Sequence, residues 1–272
     1  MYGSTVKGKF EICKPDPQGP RSVWLKCYEL RSSTRPNLTR KKTPPNAWEQ
    51  LNEQIVRCDL CSRLRKYCQA VAASKRRAYA HEEYWGLPVP NFGDAQAELL
   101  VVGLAPAAHG GNRTGRVFTG DRSGDWLFRA LHKAGFANLA VSCSRHDALS
   151  LRNAAITATC HCAPPDNKPT LDELANCRRW LELSIDLLPV RILLALGQIA
   201  WRALVAEAKR RSWLHSKPPK FAHAQSVELA DNRWLIASYH PSQQNTFTGK
   251  LTEPMFDRVF QMARELLTSK KH

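Results

Sequence analysis

Apolar residues gather in four runs of strand length, at 98–104, about 153–160, 190–196 and 233–239. Between and after them, apolar positions recur at helical spacing. Asp125-Trp-Leu-Phe-Arg-Ala-Leu-His is one such segment, Thr170-Leu-Asp-Glu-Leu opens another, and 197–210 and 253–268 supply two more. Trp48, Leu51, Ile55, Leu60 and Leu64 give Ala47 to about Ser74 the same helical period. Thr170 followed three residues later by Glu173 is a capping box, with Pro169 just before it. Strands alternating with helices at this spacing imply βαβ units and a mainly parallel sheet covered on both faces. No internal repeat is visible.

Residues 1 to 45 follow a different pattern, rich in Pro, Ser, Thr and Arg and without hydrophobic period. They carry ten Lys/Arg against three Asp/Glu, a net +7. This segment reads as a flexible basic extension, either touching DNA backbone or simply solvated. Residues 46–272 then read as a single domain. No stretch approaches the ~18–20 apolar residues of a membrane helix, and no apolar run follows the first residues, so neither membrane nor secretory segment is expected. A cytosolic, monomeric protein fits this pattern.

Charge narrows the partners. The 272 residues carry a formal net charge of +16 at pH 7, a field that attracts polyanions such as nucleic acid, though solubility alone also accounts for basic surfaces. The nine cysteines are many for a cytosolic chain, where clustered thiols point to metal ligation or catalysis rather than disulfides. Cys58-Asp-Leu-Cys61 places two thiols one helical turn apart. Cys162 and Cys177 bracket the loop Ala-Pro-Pro-Asp-Asn-Lys-Pro and the first two turns of the next helix. Four thiolates suit zinc or an iron–sulfur cluster; burial as small hydrophobes is the other reading.

Two loops carry the remaining chemistry. Gly103-Leu-Ala-Pro-Ala-Ala-His-Gly110 follows the first apolar run, and His240-Pro-Ser-Gln-Gln-Asn245 follows the last. The carboxyl ends of strands in an open α/β sheet face one crevice, where ligands bind, so both loops are expected to converge there.

These motifs bring the chain to a known family. Cys58-x-x-Cys61, Tyr84-Trp-Gly-Leu-Pro-Val-Pro90, Gly103 through Phe118-Thr-Gly-Asp121, Cys162-Ala-Pro-Pro-Asp-Asn-Lys-Pro-Thr170 and Tyr239-His-Pro-Ser-Gln-Gln-Asn245 stand in order. Over roughly 48–268 the chain closely resembles the family 5 (type b) uracil-DNA glycosylases. The resemblance implies a three-layer α/β/α fold with a central four-stranded, mainly parallel sheet. It also implies a structural [4Fe–4S] cluster held by Cys58, Cys61, Cys162 and Cys177. The implied substrate is DNA containing uracil or other deaminated bases, double- or single-stranded.

Cleaving the bond between a base and deoxyribose requires the base to leave the stack, and leaves positive character on the sugar and negative charge on the base. Set on that resemblance, His240 is the expected donor to the base oxygen, with a bond to its own turn as the bland alternative. Asp121 is expected to position water and stabilise the cationic sugar, although its place before a helix equally suits an N-cap. Asn167 is expected to contact the base edge or the water. Gly103, Ala105, His109, Phe118 and Asn245 are the expected substrate-binding residues, Phe118 by stacking on the extruded base; periodicity leaves a core role for Phe118 open. Gly103, Gly110 and Gly111 allow close backbone approach. Thr246 and Lys250 are expected near the DNA backbone, with Phe247 filling the vacated stack.

Ala105 stands where several other families of uracil-DNA glycosylase carry Asp, Asn or Glu, and Ala158 where family 1 enzymes carry a uracil-reading Asn. Fewer fixed polar readers imply looser selection, extending to hypoxanthine or modified pyrimidines. A phosphoryl-transfer reading fails because the chain has no Gly-x4-Gly-Lys-[Ser/Thr]. A non-catalytic, metal-braced DNA-binding protein is the alternative, and covalent capture of the sugar by Lys250 or His109 is a third.

Overall fold

The computed structural model describes residues 47–269; the basic extension expected at 1–45 lies outside them. In chain order the strands are β1 (Phe92–Gly93), β2 (Leu99–Gly103), β3 (Ala154–Ala158), β4 (Ile192–Leu196), β5 (Ser226–Leu229) and β6 (Arg233–Ser238). They form one sheet in the order β1-β3-β2-β4-β6-β5. The four apolar runs become its parallel centre, with Val101 opposite both Ile156 and Leu194, and Leu194 opposite Ile236. β2, β3 and β4 are buried at every residue, as strands covered on both faces must be.

The sheet has six strands where the expectation was four. The added pair, β1 and β5, are antiparallel edges. An edge strand pairs on one side only and is half solvated, so neither needs an unbroken apolar run: β5 is Ser-Val-Glu-Leu and only Leu229 is buried.

The helices are α1 (Ala47–Val56), α2 (Ser62–Ser74), α3 (Gly111–Thr114), α4 (Arg122–Lys133), α5 (Leu171–Leu187), α6 (Gln198–Arg210), α7 (Gln243–Phe247) and α8 (Glu253–Thr268). Alternation along each strand divides the core. Leu100, Val102, Leu193, Ala195 and Leu235 point to one face and meet Trp48, Leu51 and Ile55 of α1, Leu64 of α2, Leu181 and Ile185 of α5 and Leu204 of α6. Leu99, Val101, Ile156, Leu194 and Ile236 point to the other and meet Leu127, Phe128 and Leu131 of α4 and Phe256 and Phe260 of α8. The result is the three-layer α/β/α arrangement expected. All described residues fall in one compact unit, Lys42–His272, and no described helix is long and apolar enough to cross a membrane.

The helical pattern from Ala47 to Ser74 is two helices rather than one. The chain leaves α1 after Val56 and re-enters a helix at Ser62, so Cys58 and Cys61 sit in the break and not one turn apart on a helix. Apolar spacing continues across it because both helices bury against the same face. The capping box forms as expected: Thr170 Oγ1 accepts from the Glu173 amide at 3.2 Å and Glu173 accepts from the Thr170 amide at 2.8 Å. Arg63 of α2 donates twice to the same Glu173 carboxylate, at 2.8 and 2.7 Å, joining α2 to α5.

Phe128 is fully buried between α4 and the sheet. Phe128→Ala is expected to lower unfolding free energy by about 3–5 kcal/mol, read as a lower urea midpoint at unchanged slope.

Candidate active site

The crevice lies at the carboxyl edge of β2, β3, β4 and β6. The loop after β2 runs from Leu104 to Asp121 and is held by side chains buried within it. Arg113 donates to the His109 carbonyl at 2.8 Å and to the Gly120 carbonyl at 3.2 Å, pairs with Glu82, and lies 3.9 Å over the Tyr79 ring. Arg116 donates to Ser142 Oγ at 3.0 Å and to Asp147 at 2.6 Å. Asn112 donates to the carbonyls of Cys68 and Ala108. A long loop with little secondary structure of its own is thus braced from inside by Arg113, Arg116 and the Asn112 amide nitrogen, while Asn112 Oδ1 is buried without a partner.

Asp121 closes this loop and caps α4. One carboxylate oxygen accepts from the Gly124 amide at 3.0 Å. The other lies against Gly110, where no Cβ fits because it would collide with the carboxylate. Loss of hydration pushes the Asp121 pKa up, and the amides of Gly124 and Ser123 partly offset this. The N-cap and catalytic readings of Asp121 are therefore compatible: one oxygen holds the helix and the second faces the His109–Gly110 turn.

His240 lies just after β6. Its carbonyl accepts from Asn245 Nδ2 at 2.8 Å, and Ser242 caps α7 by accepting from the Asn245 amide at 3.4 Å. Asn245 thus orients the His240 loop as well as bordering it. The His240 ring stacks on Phe118 at 5.9 Å between centroids and 29° between planes. Removal from water lowers its pKa from 6.5 to about 4, so the imidazole is neutral at physiological pH. Neither ring nitrogen is hydrogen-bonded to protein among the described residues.

Phe118 adopts a left-handed backbone, φ 54°, a strained position for a residue with a side chain. Its ring covers Gly103, where an added Cβ would come 2.8 Å from the ring, and its carbonyl sits over Gly124, which likewise has no room for a Cβ. Gly103, Phe118 and His240 are thereby brought together, and Asp121 and Gly110 meet beside them. His109 Nδ1 is 3.1 Å from the Tyr84 hydroxyl, and burial, then Arg76 and Arg113, push its pKa down. Ala105 packs at the edge of the core on the α1 face.

Asn167 ends a one-turn helix, Pro165–Asn167, in the loop after β3. Asp166 and Asn167 are both left-handed, φ 54° and 56°, and the Asn167 amide is exposed. It touches neither Asp121 nor His240. Phe247 is 70% exposed at the end of α7, with Arg122 5.3 Å over its ring. Lys250 lies 4.9 Å over Tyr239. Sequence reasoning missed Arg113, Gly124 and Gly197 as scaffold. Arg113 carried no signal, because only burial distinguishes it from the many surface arginines.

Cys58, Cys61, Cys162 and Cys177 all pack on the same face of the sheet, together with Cys68 and Cys160. Cys68 Sγ donates to the Ala163 carbonyl at 3.5 Å and Cys160 Sγ to the Cys162 carbonyl at 3.4 Å; the neighbouring thiols of Cys177 and Cys68, with burial, push the thiols of Cys160 and Cys162 up. The donor set is all sulfur and already meets N–H donors: the His161 amide reaches Cys177 Sγ at 3.3 Å and Asn176 Nδ2 reaches Cys61 Sγ at 3.7 Å. Such bonds stabilise charge on cluster thiolates. Among the described residues no three Cys, His, Asp or Glu side chains converge on one ion position. An all-sulfur donor set is the ligand chemistry that an iron–sulfur cluster takes.

A His with a depressed pKa resists protonation only in the folded state. The unfolded chain therefore binds more protons between 6.5 and about 4, the interval given by His240 and also by His161, and stability is lost as pH falls through it. Urea midpoints should drop from neutral pH toward 4, with a smaller drop in His240→Gln; equal drops would show that His240 is not buried neutral.

The family model described as "Uracil DNA glycosylase superfamily" matches residues 90–264. The chain is similar to the "Type-5 uracil-DNA glycosylase" of Mycobacterium leprae, 47% identical over 223 residues, covering 80% of this chain and 94% of the relative. It is similar to that of Thermus thermophilus, 46% identical over 219 residues with 80% and 97% covered. The one from Pyrobaculum aerophilum is 42% identical over 227 residues, with 84% and 96% covered.

Proposed function

The chain belongs to the uracil-DNA glycosylase superfamily, in its type-5 group, and from that membership we propose how its crevice excises uracil from DNA. It is a base-excision-repair hydrolase that breaks the N-glycosidic bond and leaves an abasic site. The observation that carries the mechanism is the stack of a neutral, otherwise unpartnered His240 on Phe118 over Gly103, beside the recessed carboxylate of Asp121.

The extruded base enters beside the Phe118–His240 stack, within reach of the His240 ring N–H. As the bond stretches, negative charge builds on the base oxygen, and the His240 N–H meets it without a prior proton loss. Positive charge builds on the sugar. Ionised Asp121, its free oxygen beside Gly110, stabilises that charge and orients the attacking water. Asn167, exposed on the loop after β3, contacts the base edge or the water. Ala105 and Ala158 leave the pocket short of polar readers, so hypoxanthine and modified pyrimidines are accepted as well, in double- or single-stranded DNA.

Cys58, Cys61, Cys162 and Cys177 would hold a [4Fe–4S] cluster, which would act as a structural brace between the α1–α2 break and α5. Cys61→Ser is expected to lower iron content and the visible absorbance of the purified protein together.

The test is single-turnover excision of one uracil from a labelled oligonucleotide, followed by alkali. Alkali-dependent cleavage at uracil is expected, with slower cleavage at hypoxanthine; activity on uracil alone would remove the claim of breadth. His240→Ala should lose ~10²–10³ in rate with DNA binding retained. Gly110→Ala, which pushes the Asp121 carboxylate aside, should lose about 10². The rate should fall with pH only through the raised Asp121 pKa; a limb centred at 6.5 that vanishes in His240→Gln would overturn the neutral-His assignment.

A further inference from the structure

Beside His240 the surface opens into a groove of about 560 Å³ along α6. Gln198, Trp201, Arg202 and Lys209 line it from the helix, and Lys220 and Phe221 from the segment leading to β5; no Asp or Glu lines it. Arg202, Lys209 and Lys220 are exposed, and none of them makes an ion pair among the described residues. The contrast is on the same helix turn and beyond: Arg210 pairs with Glu182 and Glu207, and Arg211 with Asp186 and Glu207. Three cations line the groove without an ion pair among the described residues, while Arg210 and Arg211 at the end of the same helix are neutralised.

The groove begins at the catalytic loop. Gln198 follows Gly197, where an added Cβ would stand 3.4 Å from His240 Cβ. An aromatic run leads inward from there: Lys250 covers Tyr239 at 4.9 Å, Tyr239 lies 6.0 Å from Phe221, and Phe221 6.4 Å from Trp201. From Gln198 to Lys209 the helix rises roughly 16 Å at ~1.5 Å per residue, room for a few nucleotides. Cations along a track with an aromatic face beside them are the features by which single strands are held without sequence readout.

We propose that this groove carries the DNA strand on one side of the extruded nucleotide, with Arg202, Lys209 and Lys220 facing its phosphates and Phe221 offering a stacking face. The proposal rests on the uracil-excision reading of the neighbouring crevice.

The test compares wild type with the triple variant Arg202→Gln, Lys209→Gln, Lys220→Gln. The DNA is a set of uracil oligonucleotides, one minimal and two extended by several nucleotides on one side or the other. For one of the extended strands the variant should bind about tenfold more weakly. Its slope of log affinity against log salt should be shallower by about 2, at ~0.7 for each phosphate that the variant no longer neutralises. Binding to the minimal oligonucleotide and the excision rate at saturating DNA should match wild type. Wild-type affinity and slope on both extended strands would overturn the groove, as would an equal loss on the minimal one. Extension-dependent binding without alkali-labile product would keep the groove and sink the excision reading; normal excision with an unmoved slope would do the reverse.

Discussion

One aromatic ring ties the functional crevice together. Phe118 lies over Gly103 at the end of β2, sets its carbonyl on Gly124 in the first turn of α4, and stacks on His240 just after β6. Three elements far apart in the chain are fixed by one side chain and the absence of two others. Its left-handed backbone costs of order 1–3 kcal/mol, which the packing on all three sides offsets. A larger residue at Gly103 or Gly124 would expel the ring and release both the histidine and the helix start.

That arrangement depends in turn on a loop stiffened by buried arginines. Arg113 and Arg116 are nearly removed from water, and each meets a carboxylate and carbonyl or hydroxyl oxygens. Cutting one partner from such a pair typically costs about 3–5 kcal/mol, because a buried charge is left bare. The loop is consequently a rigid platform, suited to a reaction in which donors must stand ready before charge develops.

Burial also sets the electrostatics. The same dryness that lowers the His240 pKa raises that of Asp121, moving base and acid in opposite directions from their solution values. A neutral imidazole and a carboxylate of reduced acidity can then stand in one crevice under a protein field that is strongly positive overall, and that field draws DNA toward both.

Periodicity and composition alone determined the layer order. The four runs around Val101, Ile156, Leu194 and Ile236 are apolar because both faces of a parallel strand are buried, so they could be placed to within a residue or two. The motif at 103–121, the His240 loop and the cysteines were legible as chemistry because Gly, Pro, His and Cys stand there in clusters that packing alone does not require. The edges β1 and β5 were not legible, since half-solvated strands carry little apolar signal. Nor was the α1–α2 break, since Trp48, Ile55 and Leu64 share a face on either side of it. Only the tertiary structure decided that Asp121 both caps α4 and faces Gly110, that Asn245 holds the His240 carbonyl, and that Arg113 is scaffold while Arg202 is free. Those distinctions rest on contacts between residues as far apart as Tyr79 and Arg113, and local sequence records side-chain chemistry without recording what the fold brings against it.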